Sequence, residues 1–215
     1  MQTSTRPLTA PFAARRAVRG TALYGEPMHG TIPRELDPAG AQALLTALFE
    51  PGSDRLAHSR GVGRRAEQVA RVLGSPDLLV SAAYLHDIGY AAAALDTGLH
   101  QLDGARYLAR LGAPAELTGL VAHHTEATVE AAERGLDDAL RREFPEPAPE
   151  LLDLLTYCDM TTSARGEPVT VDERFERIYD RYAPDHLVSR SMHSAEPRLR
   201  RLVSGIERRL GLPFR

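Results

Sequence analysis

From about residue 34 onward, apolar residues recur every three to four positions and nowhere alternate long enough to make a strand, which restricts this chain to an all-α fold. Pro38 opens a helix carrying Leu44, Leu45, Leu48 and Phe49, and Pro51-Gly52 ends it. Ser53 caps a second, with Leu56, Val62, Val69 and Val72, which stops at Gly74. Pro76 opens a third through Leu78, Leu79, Ala82, Ala83 and Leu85. Further helices are expected near 101–111, 114–124, 126–134, 136–144, 150–163, 172–182 and 196–210. Pro145 to Pro149 reads as a stiff connector, and Gly166 with Pro168 as a loop.

Residues 1–34 differ. They hold Arg6, Arg15, Arg16 and Arg19 against one acid, Glu26, and Pro7, Pro11, Pro27 and Pro33 interrupt any helix. A disordered N-terminal extension is expected there, in preference to a transit peptide, whose apolar face would be too weak. Residues 35–215 are expected to form one domain, with no internal repeat. The net charge of −3 gives no global reason to expect a nucleic-acid or membrane-surface partner. The single cysteine, Cys158, cannot form an internal disulfide, so a reducing, cytoplasmic setting is expected. All 26 basic residues are arginine. No lysine chemistry is therefore open to the chain, and a cationic substrate contact must come from an arginine or a metal.

The chemistry-bearing pattern centres on His86-Asp87, at the end of the apolar stretch Ala82-Ala-Tyr-Leu and just before Ile88-Gly89. Ionisable groups on a buried face need a partner to offset desolvation, and a bound cation supplies one. Adjacent helical residues point about 100° apart, so other helices must complete such a site. His58 lies beside Leu56 and Val62. Asp159 lies within Leu154-Leu-Thr-Tyr-Cys-Asp-Met160. His100, His123 and His124 fall between them. Imidazole with carboxylate suits Fe, Mn, Co, Ni or Zn better than Ca or Mg alone.

The order His58, His86-Asp87, Asp159 resembles the H…HD…D signature of the HD superfamily of metal-dependent phosphohydrolases. Arg55-Leu-Ala-His58-Ser-Arg-Gly-Val62 is similar to the family's first helix, and Leu85-His-Asp-Ile-Gly89 to its central motif. His100 in His-Gln-Leu-Asp-Gly-Ala-Arg-Tyr107 and His124 in His-His-Thr-Glu-Ala127 resemble the extra histidines of dinuclear members, a layout shared by bacterial HD hydrolases of dinucleoside tetraphosphates. The resemblance covers about 53–163 and leaves 164–215, with its helices over 170–210, unplaced. It implies an HD-domain helical bundle with a metal site in its core. His58, His86, Asp87 and Asp159 would hold one divalent ion. Asp87 would bridge to a second held by His100 and His124. Fe, Mn, Co or Ni are the expected metals, with the number, one or two, open.

Departures narrow the activity. Many dinuclear members have Lys where this chain has Tyr90. The (p)ppGpp hydrolases have an acidic pair where it has Gly89-Tyr90. The HD 5′-deoxynucleotidases carry Glu at the Gly89 position. The cyclic-di-GMP enzymes have a Gly-Tyr-Pro block where it has Thr125-Glu126-Ala127. The expected activity is hydrolysis of a phosphoester or phosphoanhydride in a small nucleotide-like molecule by a metal-activated water. The alternative is a mixed-valent di-iron oxygenase with the same six ligand types; a regulatory module with a structural metal is a third reading. A small phosphorylated molecule is the expected partner, and a homodimer the possible assembly.

Around the ligands, Asp87 and Arg55 are the catalytic candidates, Arg55 being one turn before His58 and free to contact a phosphate or pair with an acid. Tyr90 is expected to pack. Glu126 is a possible proton relay. Thr161 and Thr162 could reach a substrate or cap the helix end. Cys158 is expected to be a buried small hydrophobe. His29, His186 and His193 read as surface residues, and Arg64-Arg65 and Arg141-Arg142 as solvated faces. Arg165, Arg174, Arg177, Arg181 and Arg190 could form a phosphate-recognising lid or a charged helix surface.

Overall fold

The structure, a computed structural model, describes residues 36–211. The extension expected over 1–34, with His29, lies outside the described residues, all of which fall in one compact unit, Ile32–Arg215. Among them there is no strand, only an isolated antiparallel bridge between Thr162 and Pro168. None of their helices is long and apolar enough to cross a membrane.

The helices begin and end where backbone chemistry requires. Asp37 accepts from Gly40 N at 2.7 Å and Pro38 occupies the first turn of α1 (Pro38–Leu48). Ser53 accepts from Leu56 N to start α2 (Asp54–Leu73), which ends at Gly74 with φ 67°. Then come α3 (Asp77–Leu85), a 3₁₀ turn at Ile88–Tyr90, α4 (His100–Arg110) and α5 (Ala115–His123). A second 3₁₀ turn, His124–Glu126, leads to α6 (Ala127–Arg134), α7 (Asp137–Glu143) and α8 (Pro149–Met160). A capping box of Thr170 and Glu173 opens α9 (Val171–Arg181), and α10 spans Leu187–Arg209.

Two expected boundaries are corrected. The last helix begins nine residues before the expected 196, because the imidazole of His186 caps Val188 N at 3.2 Å and Pro197 is carried inside the helix. The helix expected over 114–124 stops at His123, because Thr125 and Glu126 adopt φ 47° and 59°.

Helix α8 packs against α2, α3, α5 and α10, and α3 against α1, α2 and α5. The core between them contains fully buried Leu79, Leu85, Ile88, Leu120, Leu154 and Tyr157, and burying each large aliphatic side chain contributes about 1.5–3 kcal/mol. Arg65 is corrected from a solvated reading: it donates to the Tyr157 hydroxyl at 2.7 Å and ties α2 to α8. Arg64 and Arg141 stay exposed, bonding Gly166 O and Glu146.

Candidate metal centre

The expected ligands come from five places in this packing. His58 lies on the buried face of α2, His86 and Asp87 at the end of α3, His100 at the start of α4, His124 just past α5, and Asp159 near the end of α8. Glycines allow the close approaches that gather them. A Cβ on Gly89 would fall 1.8 Å from the His100 carbonyl oxygen, so only glycine lets the His86-Asp87 turn lie against the start of α4. Gly166, at φ 75°, lies so near α2 that a Cβ there would meet Ala57 O at 2.2 Å. That contact seats the loop after α8 on α2, where Ser163 O accepts from His58 Nδ1 at 3.0 Å.

The tautomers follow from the carbonyls. His58 Nδ1 faces Ser163 O, His86 Nδ1 faces Ala83 O at 2.8 Å, and His124 Nδ1 faces Val121 O at 2.7 Å. A carbonyl can only accept, so each Nδ1 carries the proton and, in the neutral rings, each Nε2 presents a bare lone pair. Those lone pairs converge on carboxylate oxygens. His58 Nε2 is 3.1 Å from Asp159 Oδ1, and His86 Nε2 is 3.4 Å from Asp87 Oδ2 and 4.0 Å from Asp159 Oδ1. On the other side, His100 Nε2 is 3.3 Å and His124 Nε2 is 3.9 Å from Asp87 Oδ1. The two oxygens of Asp87 thus face two separate pairs of imidazoles.

Acceptors that face acceptors in a buried site need positive charge between them. Protonating several rings is a poor source: His58 and His86 have centroids 5.3 Å apart, and His86 and His124 are 5.1 Å apart. Burial, reinforced by His86 and His100, pushes the His124 imidazole down to about 3, so it stays neutral and ligand-ready. His86 Nε2 is buried and has no hydrogen-bond partner. A cation with bonds of about 2.0–2.2 Å brings its ligand atoms roughly 3–3.5 Å from one another, close to the observed spacing. His58, His86 and Asp159 could hold one such ion, and His86, Asp87 and His124 form a second group of that kind. The donor set therefore fits a divalent metal.

Both carboxylates are held ionised. Burial opposes the charge on Asp87, and the Arg55 guanidinium and His86 more than offset it, keeping the carboxyl well below its usual range. Burial likewise opposes Asp159, which the His58 imidazole against its Oδ1 and the charge of Arg174 hold well below its usual range. Arg55 pairs with Asp87 and stacks 3.8 Å over the Tyr90 ring, which in turn stacks 4.2 Å from His100. Tyr90 is 42% exposed, so it belongs to the mouth of the site and not to the core.

The neighbouring histidines separate. His123 Nε2 donates to Phe144 O at 2.6 Å, away from the cluster, while His124 Nε2 turns toward Asp87. Glu126 pairs with Arg198 of α10 and does not line the cavity, which removes the relay reading. Thr161 and Thr162 donate to Tyr157 O and Cys158 O at 2.7 Å as helix-end bonds. Burial pushes the Cys158 thiol up to about 12, which makes it inert. His186 and His193 are exposed.

Three neighbours escaped the sequence reading or were left undecided by it. Thr125 donates to Asp159 Oδ2 at 2.5 Å, Arg174 donates to Asp159 Oδ1 at 3.2 Å, and Gln101 Oε1 is buried and unpartnered. A cavity of about 350 Å³ opens over the cluster, with Arg55, Arg174, Arg177 and Arg181 in its walls. Arg165 and Arg190 are not among its lining residues.

A helical bundle with four imidazoles and two carboxylates gathered beneath an arginine-walled cavity belongs among the His/Asp metal-site proteins. The chain is a member of the HD domain family, which matches residues 55–184, more than half of its length. Membership implies binding of a divalent metal and, at the level of the family, metal-dependent hydrolase activity. The match runs past the 53–163 expected from the motifs and takes in α9. No curated protein and no solved structure matches the chain.

Proposed function

We propose that the protein is a metal-dependent phosphohydrolase that cleaves a phosphoester or phosphoanhydride of a small nucleotide-like molecule. The observation that carries this reading is Asp87, whose two oxygens face His58 and His86 on one side and His100 and His124 on the other. In it, His58, His86, Asp87 and Asp159 would hold one ion, and Asp87, His100 and His124 would hold a second. Divalent ions placed there supply an activated water and neutralise phosphate charge, so neither lysine nor a covalent nucleophile is needed.

The chain's own groups do the rest. Backbone carbonyls fix the rings of His58, His86 and His124. Arg55, one turn before His58 and 31% exposed at its side chain, pairs with Asp87 and lines the cavity, where it would donate to a phosphate oxygen. Arg174 presents a buried Nε with no partner of its own, a second donor for the same phosphate.

Protein loaded with Mn, Co or Fe is expected to release phosphate or a nucleotide from a panel of phosphoesters and phosphoanhydrides without consuming oxygen. Oxygen-dependent turnover with no hydrolysis anywhere in the panel would overturn the reading in favour of the di-iron oxygenase.

A further inference from the structure

We propose that the substrate carries a second anionic group beyond the reacting phosphate, and that Arg177 and Arg181 of α9 bind it. This rests on the phosphohydrolase reading and specifies the substrate of that site.

Arg174, Arg177 and Arg181 are spaced by three and four residues, which places them on one face of α9, and all three line the cavity over the metal cluster. They are not equivalent. Arg174 reaches the Asp159 carboxylate, so it belongs to the reacting end. A helix rises about 1.5 Å per residue, so Arg177 stands about 4.5 Å and Arg181 about 10 Å further along the axis. Both are exposed, and neither has a carboxylate partner among the described residues. The acids at the cavity wall outside the metal cluster show no pairing with them. Glu130 lines the cavity but is bound by Arg134 through two donors, and Asp54 belongs to the first turn of α2. Arg71 and Arg201 are exposed too, but line no part of the cavity. Two uncompensated guanidinium groups in a partly enclosed site raise the local concentration of anions and suit bidentate oxyanions. A single phosphate held by the metal centre and Arg55 would leave them without a counter-charge. A molecule with a second phosphate or carboxylate would engage them. Ile178, Val188, Met192 and Tyr182 form an apolar wall on the same side, suited to the organic part of such a molecule.

The test is calorimetric binding to metal-loaded full-length protein of three non-hydrolysable probes: imidodiphosphate, phosphonoacetate and phenylphosphonate. The two probes with a second anionic group are expected to bind tighter than phenylphosphonate by about tenfold or more. The double variant Arg177→Gln, Arg181→Gln is expected to lose that advantage while binding phenylphosphonate as before. Chelation of the metals by imidodiphosphate would persist in the double variant, so retention of the advantage there overturns the proposal, as does equal binding of all three by the wild type. A preference for imidodiphosphate over phosphonoacetate identifies the second group as phosphate, and the reverse as carboxylate. Because the readout is binding, a failure to hydrolyse any phosphate compound would count against the proposed activity and leave this result standing.

Discussion

Thr125 donates its hydroxyl to Asp159 Oδ2 at 2.5 Å while Asp159 Oδ1 turns to His58, so a residue that is not itself a ligand candidate decides which carboxylate oxygen faces the imidazoles. Thr125 does this at φ 47°, a conformation costly for a β-branched residue and one that tends to persist at functional sites. Its amide is anchored by Thr156 at 3.2 Å, and the next residue by Arg198.

Thr125→Val should therefore weaken metal binding by about 10–100-fold, the usual effect of losing an outer-shell partner, while Thr125→Ser keeps it near wild type. Metal titration of both variants checks this. Unchanged affinity in Thr125→Val would show that the hydrogen bond only shapes the turn.

Asp87→Asn should abolish the second metal and weaken the first, because the amide nitrogen cannot ligate and one of the two pairs of imidazoles loses its shared oxygen. Iron content after anaerobic reconstitution is expected to fall from close to two ions per chain to one or fewer. Two ions retained by Asp87→Asn would show that the carboxylate does not bridge.

His124→Ala and His123→Ala should separate two roles. The first is expected to lose the second ion and also some stability, since the Val121 carbonyl loses its His124 donor. The second should keep both ions but destabilise the protein by about 1–3 kcal/mol, since the Phe144 carbonyl would be left buried and unpaired. Iron content and urea denaturation read the two effects independently, and the opposite pattern would exchange the assignments.

Gly89→Ala should act at a distance from its own side chain. The added methyl meets His100 O at 1.8 Å, forcing α4 away, and about 1–3 kcal/mol of stability should be lost together with the second ion. A variant that is destabilised but still binds two ions would show that His100 follows the turn without losing its aim.

The candidate ligands stood out because ionisable residues beside apolar ones set up a conflict that burial without a partner cannot sustain. The choice between His123 and His124 was not contained in that argument. Both are buried, and only the break at Thr125 and Glu126 sends the second ring to Asp87. Nothing local announces that break, since left-handed turns are ordinarily carried by Gly or Asn. The early start of α10 was hidden for a related reason: the capping group is a histidine, outside the usual Ser, Thr, Asp and Asn set. The arginines of α9 were visible as a charged stretch, but which of them face the cavity depends on how α9 docks. That docking runs through Arg174 to Asp159, a pairing 15 residues apart in sequence.

His86 and His124 are each oriented by the carbonyl three residues earlier in the same chain segment. The aim of the His86 ring is therefore written within a single turn of backbone, and that of His124 in its own turn and the break after it, where Glu126 pairs with Arg198 of α10. Substitutions along α9, or along α10 away from Arg198, can alter what enters the cavity without re-aiming the rings, so a lineage of such chains is free to exchange one substrate for another while the inorganic chemistry beneath is inherited intact.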